Sequence, residues 1–207
     1  MKALLPAAFK AAVFDFDGTL VDTLDLHYQA YRQVFEDRGL DLSREVFYRA
    51  IGDKANVAIP RMAQRSLDPE EIADIHVRKK ARVEELFATA PISVLSPALL
   101  LPLLVGRVPL ALASSGSRPG IEMLLNRSNW KVFFSVVLTG EDVTHGKPHP
   151  EIYLLAAQRI MVPPQMCLAF EDTEAGVSAA HAAGMTVIDV RRPLNLPVTI
   201  IHPQNGR

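Results

Sequence analysis

Five short apolar runs, at residues 11–16, 108–113, 135–139, 166–170 and 186–190, are spaced so that helical patterns fill most of the gaps between them. A strand with one wet face alternates polar and apolar residues, whereas a strand buried on both faces is apolar throughout. Residues 118–126 carry Ile121, Leu124 and Leu125 at helical spacing, and residues 150–160 carry Tyr153, Ala156, Ala157 and Ile160. Residues 174–183 carry Ala175, Ala179, Ala180 and Ala183, a stripe small enough to let a helix sit close on a sheet. Buried strands alternating with helices predict an α/β fold with a parallel sheet covered on both faces.

The alternation breaks between residues 25 and 88, where every pattern is helical. Leu26, Ala30, Val34 and Phe35 open the first helix, and residues 44–50, 56–64 and 70–87 continue in the same way. Asp68-Pro69-Glu70-Glu71 reads as a helix start, with proline at the first position and acids in the first turn. The pattern predicts a small all-helical domain, residues 23–91, inserted into a core domain made of residues 1–22 and 92–207. The hinges fall near residues 22–24 and 91–97, and the stretch beyond Arg192 reads as an extended surface segment.

Composition narrows the functional classes. The chain has 207 residues, 49% apolar and 22% charged, enough for a sizeable core without disulfides. A net charge of −1 gives no basic field to draw nucleic acid or an acidic membrane surface. The single cysteine, Cys167, falls within an apolar run and reads as a buried strand residue. The apolar run at residues 99–105 is split by Pro102 and falls well short of the ~20 residues a membrane helix needs. The apolar stretch at residues 1–9 is soon interrupted by Lys10, Asp15 and Asp17, so a secretory signal is not expected and a cytoplasmic protein is.

Four strand-end motifs carry the chemistry. Asp15 and Asp17 leave the C-terminal end of the first apolar run, and residues two apart on a strand share a face. In open α/β sheets ligands bind in the crevice beyond that end, and Gly18 permits a sharp turn close to a ligand. Glu171 and Asp172 follow another apolar run. Four carboxylates at two strand ends repel unless a cation lies between them, and hard oxygen donors select magnesium over zinc. Ser114-Ser115-Gly116-Ser117 follows the run at 108–113 and precedes a helix, which suits a phosphate cradle. Lys147, beside Pro148, supplies a positive charge, with His145 and His149 flanking it as loop residues. Trp130, Phe133 and Phe134 read as packing residues rather than a base-stacking platform.

The string Asp15-Phe16-Asp17-Gly18-Thr19-Leu20-Val21-Asp22-Thr23, with the serine, lysine and Glu-Asp motifs following in order, resembles the haloacid dehalogenase superfamily of phosphotransferases. The likeness covers roughly residues 10–190 and is strongest to the branch with a helical cap, which includes β-phosphoglucomutase and bacterial sugar-phosphate phosphatases. It implies a Rossmann-like core, with Asp15 as nucleophile and Asp17 as general acid and base. It further implies Mg2+ held by Asp15, the main-chain carbonyl of Asp17 and Asp172, with Glu171 as a ligand or behind one. Ser114, Ser115 and Lys147 would hold the phosphoryl group. Neighbouring carboxylates and burial would raise the Asp17 pKa enough for it to serve as an acid.

On the cap, the resemblance implies that His27 places Asp17 or the substrate, and that Gly52, Asp53 and Lys54 touch the substrate. The mutase pattern has a lysine just before that glycine and an arginine three residues after it, where this chain has Ile51 and Ala55. The expectation is therefore a phosphatase acting on small sugar phosphates of the hexose phosphate or phosphogluconate kind, as a monomer or weak homodimer. The alternatives are a β-phosphoglucomutase and a non-catalytic sugar-phosphate sensor, the latter opposed by the presence of both Asp15 and Asp17.

Overall fold

The computed structural model describes residues 8–51 and 55–191. Its centre is a five-stranded sheet built from β1 (Ala11–Phe14), β4 (Leu110–Ala113), β5 (Val136–Leu138), β6 (Cys167–Glu171) and β7 (Thr186–Asp189). The order is β5-β4-β1-β6-β7 and every pairing is parallel, as the apolar runs predict. The first strand lies in the middle, with β4 on one side and β6 on the other. The chain therefore reverses its winding direction at β1, and the crevice this creates lies at the strands' C-terminal ends.

The two faces differ in side-chain size. Phe14, Leu112 and Phe170 look to one side, with Ile121, Leu124 and Leu125 of α6 (Arg118–Arg127) packed against that face. Phe14 and Phe170 stack at 4.5 Å and 7°. The alternate residues Ala11, Val13, Ala111, Ala113, Cys167 and Ala169 look to the other side. This small-residue face receives α7 (Glu151–Arg159) and α8 (Glu174–Ala182) through Ala156, Ala157, Ala179 and Ala180. The alanine stripe read from the sequence is thus matched by alanines on the sheet, which brings helix and strand backbones together. Each fully buried Leu or Phe on the larger face contributes about 1.5–3 kcal/mol.

Between β1 and β4 the chain forms α1 (Leu24–Glu36), α2 (Arg44–Ala50), α3 (Ala55–Ala63) and α4 (Pro69–Thr89). Asp68 accepts from the Glu71 amide at 2.8 Å while Glu71 reaches back to the Asp68 amide at 3.2 Å, a reciprocal cap with Pro69 in the first turn. The outer halves of these helices bury their own cluster around Tyr31, Phe35, Phe47, Ile59 and Met62. Their inner halves, through Leu26, Ala30, Val83 and Phe87, join the cluster on the sheet.

Two elements escape the sequence pattern. A ribbon pairs β2 (Val21–Asp22) with β3 (Ser93–Val94), antiparallel, where the chain enters and leaves the helical insertion. Two residues per strand are too few to show a period. The apolar stretch at 99–105 becomes a 3₁₀ turn and a short helix, α5 (Leu101–Leu104). The described residues contain no helix long and apolar enough to cross a membrane.

Candidate active site

Beyond Phe14 the backbone stays in register for one more residue, since the Asp15 amide donates to the Phe170 carbonyl at 3.0 Å. It then turns sharply. The Phe16 carbonyl accepts from the amides of Leu20 and Val21, and Gly18 sits at φ +82°. A Cβ at Gly18 would lie 2.1 Å from Asp172 Oδ2, so only glycine lets the Asp172 carboxylate cross over this turn. Thr19 donates to the same carboxylate at 3.2 Å. The two acidic strand ends are thereby locked together, and one oxygen each of Asp15, Glu171 and Asp172 lies within 4.8 Å of the others.

Lys147 ties the group together from a third side. Its Nζ donates to Asp15 Oδ1 at 2.6 Å and to the Ala113 carbonyl at 3.1 Å, and it also donates to Glu171 Oε1. Its side chain is only 7% exposed, so this is a buried ammonium rather than a surface lysine. Burial lowers its pKa, but Asp15, Tyr153 and Glu171 outweigh that and hold it well above the usual lysine value. Glu171 is fully buried. Its Oε1 also accepts from the Tyr153 hydroxyl at 2.8 Å, and its Oε2 accepts from the Asp172 and Thr173 amides and the Thr173 hydroxyl. Burial raises the Glu171 carboxyl, yet Lys147 and these bonds keep it below the ordinary value.

The other two acids go the opposite way. Burial, opposed by Lys147 and reinforced by Glu171 and Asp172, pushes the Asp15 carboxyl well up. Burial and Glu171 raise Asp172 to about 6. The site thus holds more negative charge than Lys147 balances, and every donor is a hard oxygen. That is a donor set suited to a magnesium ion.

The folded carboxyl of Asp172 titrates at about 6, above the ordinary 3.8, so in metal-free protein its contribution to stability is fully present below pH 3.8 and is lost as pH rises to about 6. Asp172→Asn has no such carboxyl. Its urea midpoint relative to the native chain is expected to climb between about pH 4 and pH 6 and stay level above, and a flat difference across that window would contradict the assignment.

Asp17 departs from the sequence reading, which expects neighbouring carboxylates to raise its pKa. Its side chain faces the helical insertion instead. Thr23 donates to Oδ1 at 2.7 Å, and His27 Nε2 stands 3.9 Å away, too far for a hydrogen bond. Burial pushes the carboxyl up, but His27, Thr23 and Lys79 outweigh it and leave it below the ordinary value. Lys79 Nζ lies 2.7 Å from His27 Nδ1 and donates there, which leaves the ring proton on Nε2 facing Asp17. Burial lowers Lys79 itself to about 8.

At the end of β4, Ser114 is buried, and its Oγ accepts from the Gly116 amide at 2.9 Å. Ser115 is exposed and faces the mouth of a cleft of about 370 Å³ between sheet and insertion, lined by Asp17, His27, Lys79, Phe87, Ser115 and Gly116 among others. Three contacts hold the insertion against this wall: Ser117 donates to Glu84 at 2.6 Å, Lys80 stands 3.8 Å from Glu141, and Arg127 donates to the carbonyls of Phe87 and Ala90.

Asp15, Lys147, Glu171 and Asp172 thus form one buried group at the strand ends, Asp17, His27 and Ser115 line the cleft, and Ser114 is held by the Gly116 amide, whereas Gly52, Asp53 and Lys54 lie outside the described residues. Sequence reasoning misses Lys79, Tyr153 and the Ser117–Glu84 pair. Tyr153 reads as one more apolar residue of a helical stripe, and Lys79 lies within the helical stretch at 70–87 with nothing in the sequence to single it out. Only the three-dimensional partners distinguish them.

The family model described as haloacid dehalogenase-like hydrolase matches residues 12–190. The chain is 35% identical over 190 residues to protein CbbY of Rhodobacter capsulatus, covering 86% of this chain and 84% of that protein. It is 32% identical over 186 residues to the fructose-1-phosphate phosphatase YqaB of Escherichia coli, covering 88% and 97%. The crystal structure of CbbY from Rhodobacter sphaeroides with phosphate superposes with a TM-score of 0.77 at 31% identity, over 87% of this chain and 85% of that one.

Proposed function

Because the chain belongs to the haloacid dehalogenase-like hydrolases, and among them is a phosphoric monoester hydrolase, we propose that it is a magnesium-dependent phosphatase of small sugar phosphates, of the hexose phosphate or phosphogluconate kind, working through a phosphoaspartate on Asp15. The observation that carries the reading is the buried bridge from Lys147 to both Asp15 and Glu171, with Asp172 beside it, while Asp17, two residues on from Asp15, lines the cleft.

Asp15, Asp172 and the Asp17 carbonyl would hold the ion. Glu171 has both oxygens engaged by five donors, which suits it to anchoring Lys147 and the Asp172 backbone rather than to touching metal. When bound, magnesium supplies positive charge between the anionic carboxylates and the anionic phosphate.

The residues divide the reaction as follows. Asp15 attacks phosphorus in line and takes the phosphoryl group, splitting one displacement into two. Lys147 fixes the Asp15 carboxylate and balances charge on the equatorial phosphoryl oxygens. Ser114 donates its hydroxyl to one of those oxygens, its own oxygen being held by the Gly116 amide, and Ser115 assists at the cleft mouth. Asp17 delivers a proton to the departing sugar alkoxide and then removes one from the water that releases phosphate. Its low resting pKa is lifted when a dianionic phosphate fills the cleft beside it. His27 and Lys79 orient it.

Residues 23–91 act as a cap that excludes bulk water during this cycle. The cleft's mixture of charged groups with Phe87 and Val83 matches a polyhydroxylated ring. Ile51 and Ala55 pack against the cap's own apolar cluster and offer no charged grip on a second phosphate, which favours a phosphatase over a mutase. A sensor would not need both Asp15 and Asp17.

The test is free-phosphate release by purified protein from a panel of sugar phosphates with magnesium. At least one member is expected to turn over, and excess EDTA is expected to reduce that rate to background. No release from any member, with an active relative as control, would overturn the proposal.

A further inference from the structure

The loop carrying Lys147 has a second, outward-facing cluster that the reaction leaves unused. His145 Nδ1 lies 2.9 Å from Glu151 Oε2, and His149 Nδ1 lies 3.8 Å from the same oxygen. The two imidazole rings stand side by side, 4.6 Å apart at 37°. One ligand atom from each of the three residues lies within 4.8 Å of the others, and both histidines are exposed.

We propose that His145, His149 and Glu151 form a second divalent-cation site, for an ion of the zinc class, on the outer side of the Lys147 loop. Zinc with ligands at ~2.0–2.1 Å in tetrahedral array separates adjacent donor atoms by about 3.3 Å. The observed separations of 2.9 and 3.8 Å bracket that value, so small side-chain rotations close the site. Two imidazoles and one carboxylate leave a fourth position for water, and exposure on the loop gives that water access.

The arrangement exceeds what the loop needs for its own fold. Glu151 already secures the turn by accepting from the Thr144 amide at 2.8 Å and the His145 amide at 2.9 Å. A second imidazole beside the same oxygen adds little to that. The ring nitrogen of His149 that faces the cluster accepts a long hydrogen bond, at 3.3 Å, from the Glu151 amide, which a bound ion would replace.

Ligand type then sorts ions between the two sites. The oxygen-only group at Asp15 and Asp172 favours magnesium, whereas imidazoles favour zinc or its neighbours. The sites face opposite sides of one loop: Lys147 points into the sheet crevice, and His145 and His149 point away from it.

The experiment titrates tag-free, full-length protein with zinc chloride, in millimolar magnesium, against a chromophoric zinc chelator. The native chain is expected to take up one zinc at this loop. His145→Gln/His149→Gln is expected to weaken that binding by about a hundredfold or more, because losing even a supporting partner of a zinc ligand costs about 10–100-fold. Asp172→Asn is expected to retain it. The double variant should keep the native melting temperature and its phosphatase rate in magnesium, whatever that rate is, so failure here is separable from failure of the catalytic proposal. Unchanged zinc affinity in the double variant, or loss of zinc in Asp172→Asn instead, would overturn the site. If the double variant does not fold, cobalt added to the native chain decides the matter: visible absorption of a nitrogen-ligated ion supports the site, and a featureless spectrum overturns it.

Discussion

Asp15→Asn is expected to lower phosphate release by about four to six orders of magnitude, the scale on which loss of a covalent nucleophile acts, while leaving the fold intact. An amide of the same shape has no anionic oxygen to attack phosphorus, so the first displacement stops. The backbone is indifferent to the change, because the Asp15 amide bonds to the Phe170 carbonyl whatever the side chain. Lys147 keeps Glu171 and the Ala113 carbonyl as partners. Burial pushes the Asp15 carboxyl well above its ordinary value, which means the folded chain disfavours the charge that the substitution removes. Melting in the absence of magnesium should therefore be unchanged or move slightly upward. Turnover above about one per cent of the native rate, measured as free phosphate on the best substrate, would mean that another group attacks phosphorus.

Lys147→Met gives the opposite signature, with both rate and stability falling. Methionine replaces the stem but leaves Asp15, Glu171 and Asp172 crowded without a cation. Removing one partner from a buried ion pair typically costs about 3–5 kcal/mol, and domains of this kind have only about 5–15 kcal/mol in hand. The urea midpoint of the metal-free variant should drop accordingly. The phosphatase rate should fall by at least about a hundredfold, as when a group that stabilises transition-state charge is removed. Magnesium should recover more stability in the variant than in the native chain, because it resupplies the missing positive charge. A variant that melts like the native chain without metal would show that Lys147 does not balance these acids.

Much of this arrangement is legible in the sequence. The buried runs gave the parallel sheet because each is apolar on both faces, and the break in alternation between residues 25 and 88 gave the helical insertion. Asp15, Asp17, Ser114, Glu171 and Asp172 each lie at or just beyond a strand end, a place sequence can mark. Other features depend on distance rather than order. Tyr153 reaches Glu171 from a helix whose apolar stripe hides its hydroxyl, and Lys79 meets His27 across 52 positions. The Asp17 shift runs opposite to the sequence expectation for the same reason, since the motif supplies carboxylates while the neighbours in space are Thr23, His27 and Lys79. Gly18 could be read as a turn, but not as the gap that Asp172 fills.

The ribbon of β2 and β3 has a mechanical consequence. The chain crosses between the two lobes twice, and two independent tethers would let the outer lobe twist, slide and swing. Here the crossings are bonded to one another: Val21 opposite Val94 and Asp22 opposite Ser93, with the Leu95 amide donating to the Leu20 carbonyl at 2.9 Å. They behave as a single axle. Twist and slide between the crossings are thereby restricted when the chain folds, which reduces the conformational freedom left to freeze when a ligand enters the cleft.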